Sequence, residues 1–212
     1  MNEFMKAMEF RHACKLFDDK KKIPKKEMNV ILEAGRLSPS SFGLEPWHFL
    51  VIENVKIKEA LRIACWDQPQ VTTSSHFVVL LSRKAKFFKE GSEYLDESFG
   101  RKAKDEKTLK NAEKAFSNFV KKDLGTDVKN WAKMQVYIAG ANMMSAAAFI
   151  GIDSCPMEGF NAKALRKALI KNVPPFDNKS YGIACAIAFG YGVDKRHDKI
   201  RWSLEKITTF VK

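Results

Sequence analysis

Residues 137–160, YIAGANMMSAAAFIGIDSCPMEGF, hold the most apolar run of the chain and the turn directly after it. The run itself, 137–152, is 16 residues long, contains Asn142 and Ser145, and stops at Asp153. A membrane span needs about 20 apolar residues, so this segment does not read as one. Its small residues Ala139, Gly140, Ala141, Ser145 and Ala146 instead predict a helix packed closely in a core or against a second copy of the chain. The same helix is expected to begin near Asp127 and to end near Ile150.

Outward from it, the pattern alternates between helix and strand. Pro24 starts a helix through KKEMNVILEAGRL, with Met28, Ile31, Leu32 and Leu37 on one stripe, and SPSSFG at 38–43 ends it. WHFLVI (47–52) and HFVVLL (76–81) have strand composition, with VKIKEALRIA (55–64) as a helix between them. A mostly polar helix is expected over 93–122, carrying Leu109, Ala112, Phe116 and Phe119. NAKALRKALIK (161–171) is a further helix, YGIACAIAFGYG (181–192) a strand, and KITTFV (206–211) an added edge strand. Strands separated by helices of unequal length make an α/β or α+β domain. No linker or repeat divides the chain, so it is read as a single domain over 1–212.

Composition narrows the class. The 212 residues are 45% hydrophobic and 11% aromatic, enough for a folded core. Cys14, Cys65, Cys155 and Cys185 are scattered, as are the four histidines, so neither a CxxC pair nor an HExxH zinc motif exists and no metal site is expected. The N-terminus lacks the apolar core of a signal peptide, and a reducing, cytoplasmic setting is expected. The formal net charge is +12, but between Arg83 and Lys133 the 14 basic residues are mixed with 9 acidic ones. That is the pattern of a solvated helix face rather than a nucleic-acid stripe. No GxGxxG or P-loop sequence occurs.

Three clusters carry chemistry: Arg11-His12-Ala13-Cys14-Lys15 with Phe17-Asp18, Ser38-Pro39-Ser40-Ser41-Phe42-Gly43-Leu44-Glu45-Pro46-Trp47, and Cys155-Pro156-Met157-Glu158-Gly159-Phe160. Lys199 and Arg201 form a late basic pair. Singly, Arg11 or Lys15 would be a surface charge and SPSSFG a helix stop. As an ordered set, RHxxKxFD, SPSSxxxxPW, a KxQVY-like stretch at Lys133–Tyr137, PxEG and KxR span residues 11–201, and the set resembles the FMN-dependent nitroreductase family. Bacterial oxygen-insensitive NAD(P)H nitroreductases look most similar.

The resemblance implies an α+β sandwich, a mostly antiparallel sheet flanked by helices, in an intertwined homodimer with FMN at the interface. It implies that helix 137–152 is the central dimer helix and that 206–211 reaches the partner's sheet. Carried over residue by residue, it assigns the FMN phosphate to Arg11, Lys199 and Arg201. It places His12, Ala13, Lys15, Ser40, Ser41, Gly43, Asp67, Gln70 and Gln135 around the cofactor, and Pro156, Met157, Glu158 and Gly159 against the isoalloxazine. Physically, a guanidinium suits a phosphate, and a cation near N1–C2=O (Lys15) raises the flavin's electron affinity. Phe42, Phe116 and Phe119 are expected to form a substrate lid. The implied reaction is ping-pong hydride transfer through flavin N5, from NAD(P)H to nitroaromatics, quinones or similar small acceptors, with no catalytic side chain. The sequence departs from the family pattern at Ala13-Cys14, at Gly43, and at Asp67 and Gln70, which stand where an Asn and a Lys are common. Two other readings remain open: flavin or pteridine reduction on the same fold, and a basic nucleic-acid-binding module.

Overall fold

The four-stranded sheet is laid down in the order β1 (Trp47–Ile52), β2 (His76–Arg83), β4 (Tyr181–Gly190), β3 (Asp153–Met157), with every neighbouring pair antiparallel. In this computed structural model the described residues are 2–124 and 127–212. β2 is central, and its residues 76–82 are all buried. Because side chains alternate across a strand, Phe77, Val79 and Leu81 enter one apolar layer while Val78 and Leu80 enter the other. β4 divides by size: Ala186 and Ala188 face the first layer, and Cys185, Ile187 and Phe189 the second.

Helices cover both faces. α1 (Glu3–Phe10), capped by the Asn2 side chain, is followed by α2 (Lys25–Arg36), α3 (Val55–Arg62), α4 (Gln70–Thr73), α5 (Glu93–Gly100), α6 (Glu106–Phe119), α7 (Val128–Phe149), α8 (Ala162–Asn172) and the single turn α9 (Leu204–Ile207). α3 and α8 pack Leu61, Leu165 and Leu169 on the first layer. α2 and α7 pack Ile31, Val136 and Met143 on the second. The α2–α7 approach is close at Gly35, where a Cβ would lie 2.8 Å from Met143 Cγ. A third cluster, with Phe88, Tyr94, Leu95, Phe99, Phe116 and Trp131, joins α5 and α6 to the start of α7.

The expected α+β sandwich with an antiparallel sheet is the architecture found, with four corrections. The helix expected over 93–122 is two helices, because it stops at Gly100 and restarts where Asp105 accepts from the Thr108 N–H at 2.7 Å. Leu37 sits past the end of α2, 66% exposed, rather than on its buried stripe. β3 takes in Pro156 and Met157, the first half of the PxEG motif, where no strand was expected. Proline is tolerated there because β3 has a strand neighbour, β4, on one side only; on its other side Ala13 bridges to Ser154. The strand expected at 206–211 is absent within one chain: beyond α9 the tail has no ladder partner among the described residues, with Phe210 82% and Val211 93% exposed. Among the described residues no helix is long and apolar enough to cross a membrane.

Candidate functional site

The segment after α1 lies between β3 and the chain following β4, fixed by the Cys14 N–H on the Ser154 carbonyl at 3.1 Å and by a bridge from Phe17 to Gly192. This brings the two ends of the sequence together. Lys199 Nζ donates to the carbonyls of Glu9, at 2.7 Å, and Arg11, the acceptors at the C-terminal end of α1. Burial holds the Lys199 ammonium below its ordinary pKa, and the charges of Arg11 and Arg201 add to that effect. Arg11, Lys199 and Arg201 are therefore one positive cluster, and among the described residues none of them is in a salt bridge. Arg196 joins from the side, 3.8 Å over the Phe10 ring and 3.1 Å from the Asp153 carboxylate.

Next to this cluster, His12 lies between Asp153 (3.5 Å) and Asp194 (3.8 Å), and both of its buried ring nitrogens lack a hydrogen-bond partner. Asp194 accepts from the Lys15 N–H at 2.9 Å and the Cys14 thiol at 3.0 Å. Burial and that carboxylate push the Cys14 pKa up, so the thiol keeps its proton. His12, Cys14 and Asp194 place potential ligand atoms within 4.8 Å of one another, a convergence that linear spacing did not show. In the folded chain the Asp194 carboxylate, hydrogen-bonded to the Cys14 thiol and the Lys15 N–H, orients residues 14–15, with His12 packed against it.

Lys15 Nζ reaches the Cys155 sulfur at 3.5 Å, and Gln70 approaches the same sulfur at 3.9 Å. Gln70 also donates to Gln68 Oε1 at 2.8 Å, and Gln68 donates to the Gly159 carbonyl at 2.7 Å. Lys15, Gln70 and Gly159 are thus brought together from three segments. Asp67 is not: its carboxylate turns out to Arg62 Nε at 2.8 Å, and Gln68 takes the inward place. The cause is local backbone geometry. Trp66 (φ 55°) and Asp67 (φ 56°) are consecutive left-handed residues, a conformation that costs about 1–3 kcal/mol per residue and collects at functional sites. Gly159 has no room for a Cβ, which would lie 2.8 Å from the Trp66 ring.

On the PxEG turn Pro156 and Glu158 are exposed and Met157 is buried. The Tyr137 hydroxyl donates to Glu158, and both line a cavity of about 290 Å³ between α7 and the sheet. Burial and Glu158 raise the Tyr137 pKa, leaving a neutral phenol.

A second group lies on the loop after α2. Asn142 donates to Ser38 Oγ at 2.8 Å, and the Ser41 N–H donates to Gln135 at 2.9 Å, so α7 holds the loop at two points. Ser40 Oγ accepts from the Glu45 N–H, and Phe42 (φ 58°) and Gly43 (φ 61°) are both left-handed. Gln135 is buried and positions the loop. Phe42, 39% exposed, sets its ring 5.2 Å from both Phe116 and Phe119. Phe116 is fully buried, so of the three expected lid residues it is a packing residue, while Phe42 and half-buried Phe119 reach the surface. Among the described residues no hydrogen bond joins this group to the first.

The nitroreductase family model matches residues 8–191. A Staphylococcus haemolyticus protein named "Putative NAD(P)H nitroreductase" is 42% identical over 97% of this chain and 95% of its own. A nitroreductase-like protein from Streptococcus mutans superposes with a TM-score of 0.83 at 19% identity, covering 100% of both chains. A protein from Exiguobacterium sibiricum described as a "putative nitroreductase in complex with FMN" gives 0.79 at 22% identity over 100% of this chain and 98% of that one. On the family match and the relative's identity over nearly its whole length, the chain belongs to the nitroreductase family.

Proposed function

We propose that this chain is an FMN-dependent NAD(P)H oxidoreductase that reduces nitroaromatics, quinones or similar electron-poor acceptors, and that it works as a homodimer. The observation that carries the reading is the convergence of Arg11 and Lys199, joined by Lys199 Nζ on the Arg11 carbonyl, with Arg201 two residues further on, none of the three in a salt bridge among the described residues. A phosphate monoester, with a charge of about −1.5 to −2 at pH 7 and three acceptor oxygens, answers that excess of positive charge. The donor set therefore fits the cofactor. Bound FMN would supply the chemistry, taking hydride at N5 and passing electrons to the acceptor in ping-pong order.

In this reading the protein binds and tunes. Arg11, Lys199 and Arg201 hold the phosphate. Lys15 adds positive charge beside the flavin pyrimidine, with Gln70 and Gln68 fixing that side. Ala13 and the backbone of Pro156, Met157, Glu158 and Gly159 line the ring. Ser40, Ser41, Gly43 and Phe42 complete the pocket from the second copy. Two surface features support pairing. α7 exposes Met134, Tyr137, Ile138 and Phe149, and the tail exposes Ile200, Trp202, Leu204, Ile207, Phe210 and Val211 by 67–93%. A cavity of about 990 Å³ between α2 and β1, lined by Leu32, Leu37, Trp47, Phe49 and Val51, offers an apolar berth for such a tail at the open edge of β1.

The test is a visible spectrum of the purified protein under anaerobic conditions. The expected sample is yellow and is bleached by NAD(P)H. A colourless protein that FMN cannot reconstitute overturns the reading.

A further inference from the structure

We infer that a basic cavity at the far end of the sheet is a binding site for the phosphates of a nucleotide-class ligand. It encloses about 570 Å³ between the end of β2, the start of β4, the first turn of α8 and the opening turns of α7. Six cations line it, Arg83, Lys84, Lys86, Lys129, Lys133 and Arg166, and among the described residues no acidic side chain does. They come from three separate stretches of chain. None of the six is in a salt bridge among the described residues. The sequence mixes the charges between Arg83 and Lys133, and the fold sorts them, since none of the acids in that stretch lines the cavity.

Three of the cations are held by contacts other than salt bridges. The Arg83 guanidinium is sandwiched by aromatic rings, 4.4 Å from Tyr181 and 4.7 Å from Tyr94, rather than paired with a carboxylate. Lys84 donates to the Asn178 carbonyl, and Arg166 to the Asn178 side chain. Burial, then the charges of Arg166 and Lys86, hold the Lys84 pKa below its ordinary value. Asp177 is the acid whose charge reaches Arg83 and Lys84. Its carboxylate accepts the N–H groups of Lys179 and Ser180, at 2.9 and 3.1 Å, and stays outside the cavity lining. A bound polyanion relieves the repulsion among these cations. Charge-assisted hydrogen bonds are the strong ones, and guanidinium is suited to phosphate.

The remaining wall gives the ligand's other half. Tyr181, Phe176 and Ile183 offer an apolar and aromatic surface beside the cations, which fits a base or other flat ring attached to phosphate. Position links the cavity to the first site. Lys133 lines it, and Tyr137, one helical turn further on the same face of α7, holds Glu158 of the PxEG turn. Lys133 and Glu158 also act on the Cys185 thiol with opposite sign. A phosphate arm seated here leaves a reactive ring within reach of the PxEG turn. That last link rests on the proposed flavin function; the polyanion site itself does not.

Isothermal titration calorimetry with adenosine diphosphate tests the site, on protein as purified and again after saturation with FMN, which fills the Arg11 cluster. Binding is expected in both samples, weakening as salt rises. The exposed-cation variant Lys129→Ala/Arg166→Ala should lose at least about ten-fold in affinity, the scale of one or two charge-assisted hydrogen bonds, with its FMN spectrum unchanged. No binding to either sample, or equal binding to the variant, overturns the site. Binding that disappears once FMN is added overturns it too, because the probe was then in the first site. If the protein takes no flavin but still binds the probe through these residues, the flavin reading fails and the site stands. In flavin-loaded protein, a KM rise for NAD(P)H in the double variant makes the donor the source of the phosphates. A rise confined to phosphorylated acceptors makes it the acceptor.

Discussion

The Gln68 side chain donates to the backbone carbonyl of Gly159 across 2.7 Å, tying the strained turn at residues 66–67 to the PxEG turn 91 residues away. One amide thereby sets the spacing between two loops that are proposed to flank the flavin. Gln68→Ala removes that partly buried hydrogen bond, worth about 0.5–1.5 kcal/mol, together with the contacts to the Cys65 carbonyl and Gln70. A several-fold rise in the FMN dissociation constant is expected, with a fall in Tm of a few degrees at most. Fluorescence titration with FMN reads the first and thermal unfolding the second. A large Tm loss with unchanged FMN affinity would show that the amide only holds the fold.

Arg11 should behave differently. Only its backbone caps α1, through the N–H on the Ala7 carbonyl at 2.9 Å, and its guanidinium is in no salt bridge among the described residues. Arg11→Ala is expected to weaken FMN binding by about 10- to 100-fold, the scale of a charge-assisted hydrogen bond of roughly 1.5–3 kcal/mol. Stability of the flavin-free protein should stay within about 0.5 kcal/mol, as at other surface positions. Unaltered FMN retention removes Arg11 from the site.

Phe116 and Phe42 share an aromatic cluster, but one is fully buried and the other is 39% exposed. Phe116→Ala should cost about 3–5 kcal/mol of stability, as large-to-small core changes do. Phe42→Ala should leave the unfolding midpoint nearly unchanged and alter KM for bulky acceptors. Denaturant unfolding and steady-state kinetics on the two variants separate packing from substrate contact. The opposite assignment of effects would place the lid at Phe116.

Deleting residues 204–212 takes away Leu204, Ile207, Phe210 and Val211, whose exposure in one chain ranges from 67% to 93%. Sedimentation is expected to show a weakened or absent dimer, with loss of bound FMN. A truncated protein that remains a tight, flavin-loaded dimer would mean the tail has no part in pairing.

Lys58 on α3 is fully buried, donates to the Ser74 carbonyl, and has its pKa lowered to about 8 by burial, with Lys22 adding to the shift. Because the folded chain releases this proton more readily than the unfolded one, the unfolded state binds more protons between pH 8 and the ordinary lysine value of 10.5. Stability from this group therefore rises with pH across that window and is lowest below it. At roughly 1.4 kcal/mol per pKa unit, the penalty below pH 8 is up to about 3 kcal/mol. Lys58→Met should remove this rise from the Tm profile. Parallel Tm profiles for the two proteins from pH 8 to 10.5 would refute it.

Much of the frame was legible because burial on two faces imposes simple patterns. FVVLL at 77–81 is apolar throughout because β2 is central, and the helix expected at 127–150 differs from α7 by one residue at each end. The chemistry-bearing clusters were found because glycine, proline and cations stand out in a sequence. β3 was hidden by Pro156, which is acceptable only at a strand edge, and edges cannot be read before the sheet is assembled. Asp67 was placed inward by counting. Two successive left-handed residues reverse that register and bring Gln68 in. Periodicity put Phe116 and Phe119 on one face of a helix, but which of them meets solvent depends on Phe88 and Trp131, far away in the chain. The basic cavity was masked for a similar reason: its cations and the neighbouring acids are interleaved in sequence and separated only in space.

The two margins of the sheet are unequal. Outside β3, Pro156 has no N–H to offer and Ala13 already occupies the adjoining position. In the proposed dimer β1 is therefore the margin left to receive the partner's tail, one from each chain. Reciprocal exchange of those tails satisfies both molecules at once and leaves no receptive margin over, so such an assembly terminates at two members instead of growing into a ribbon.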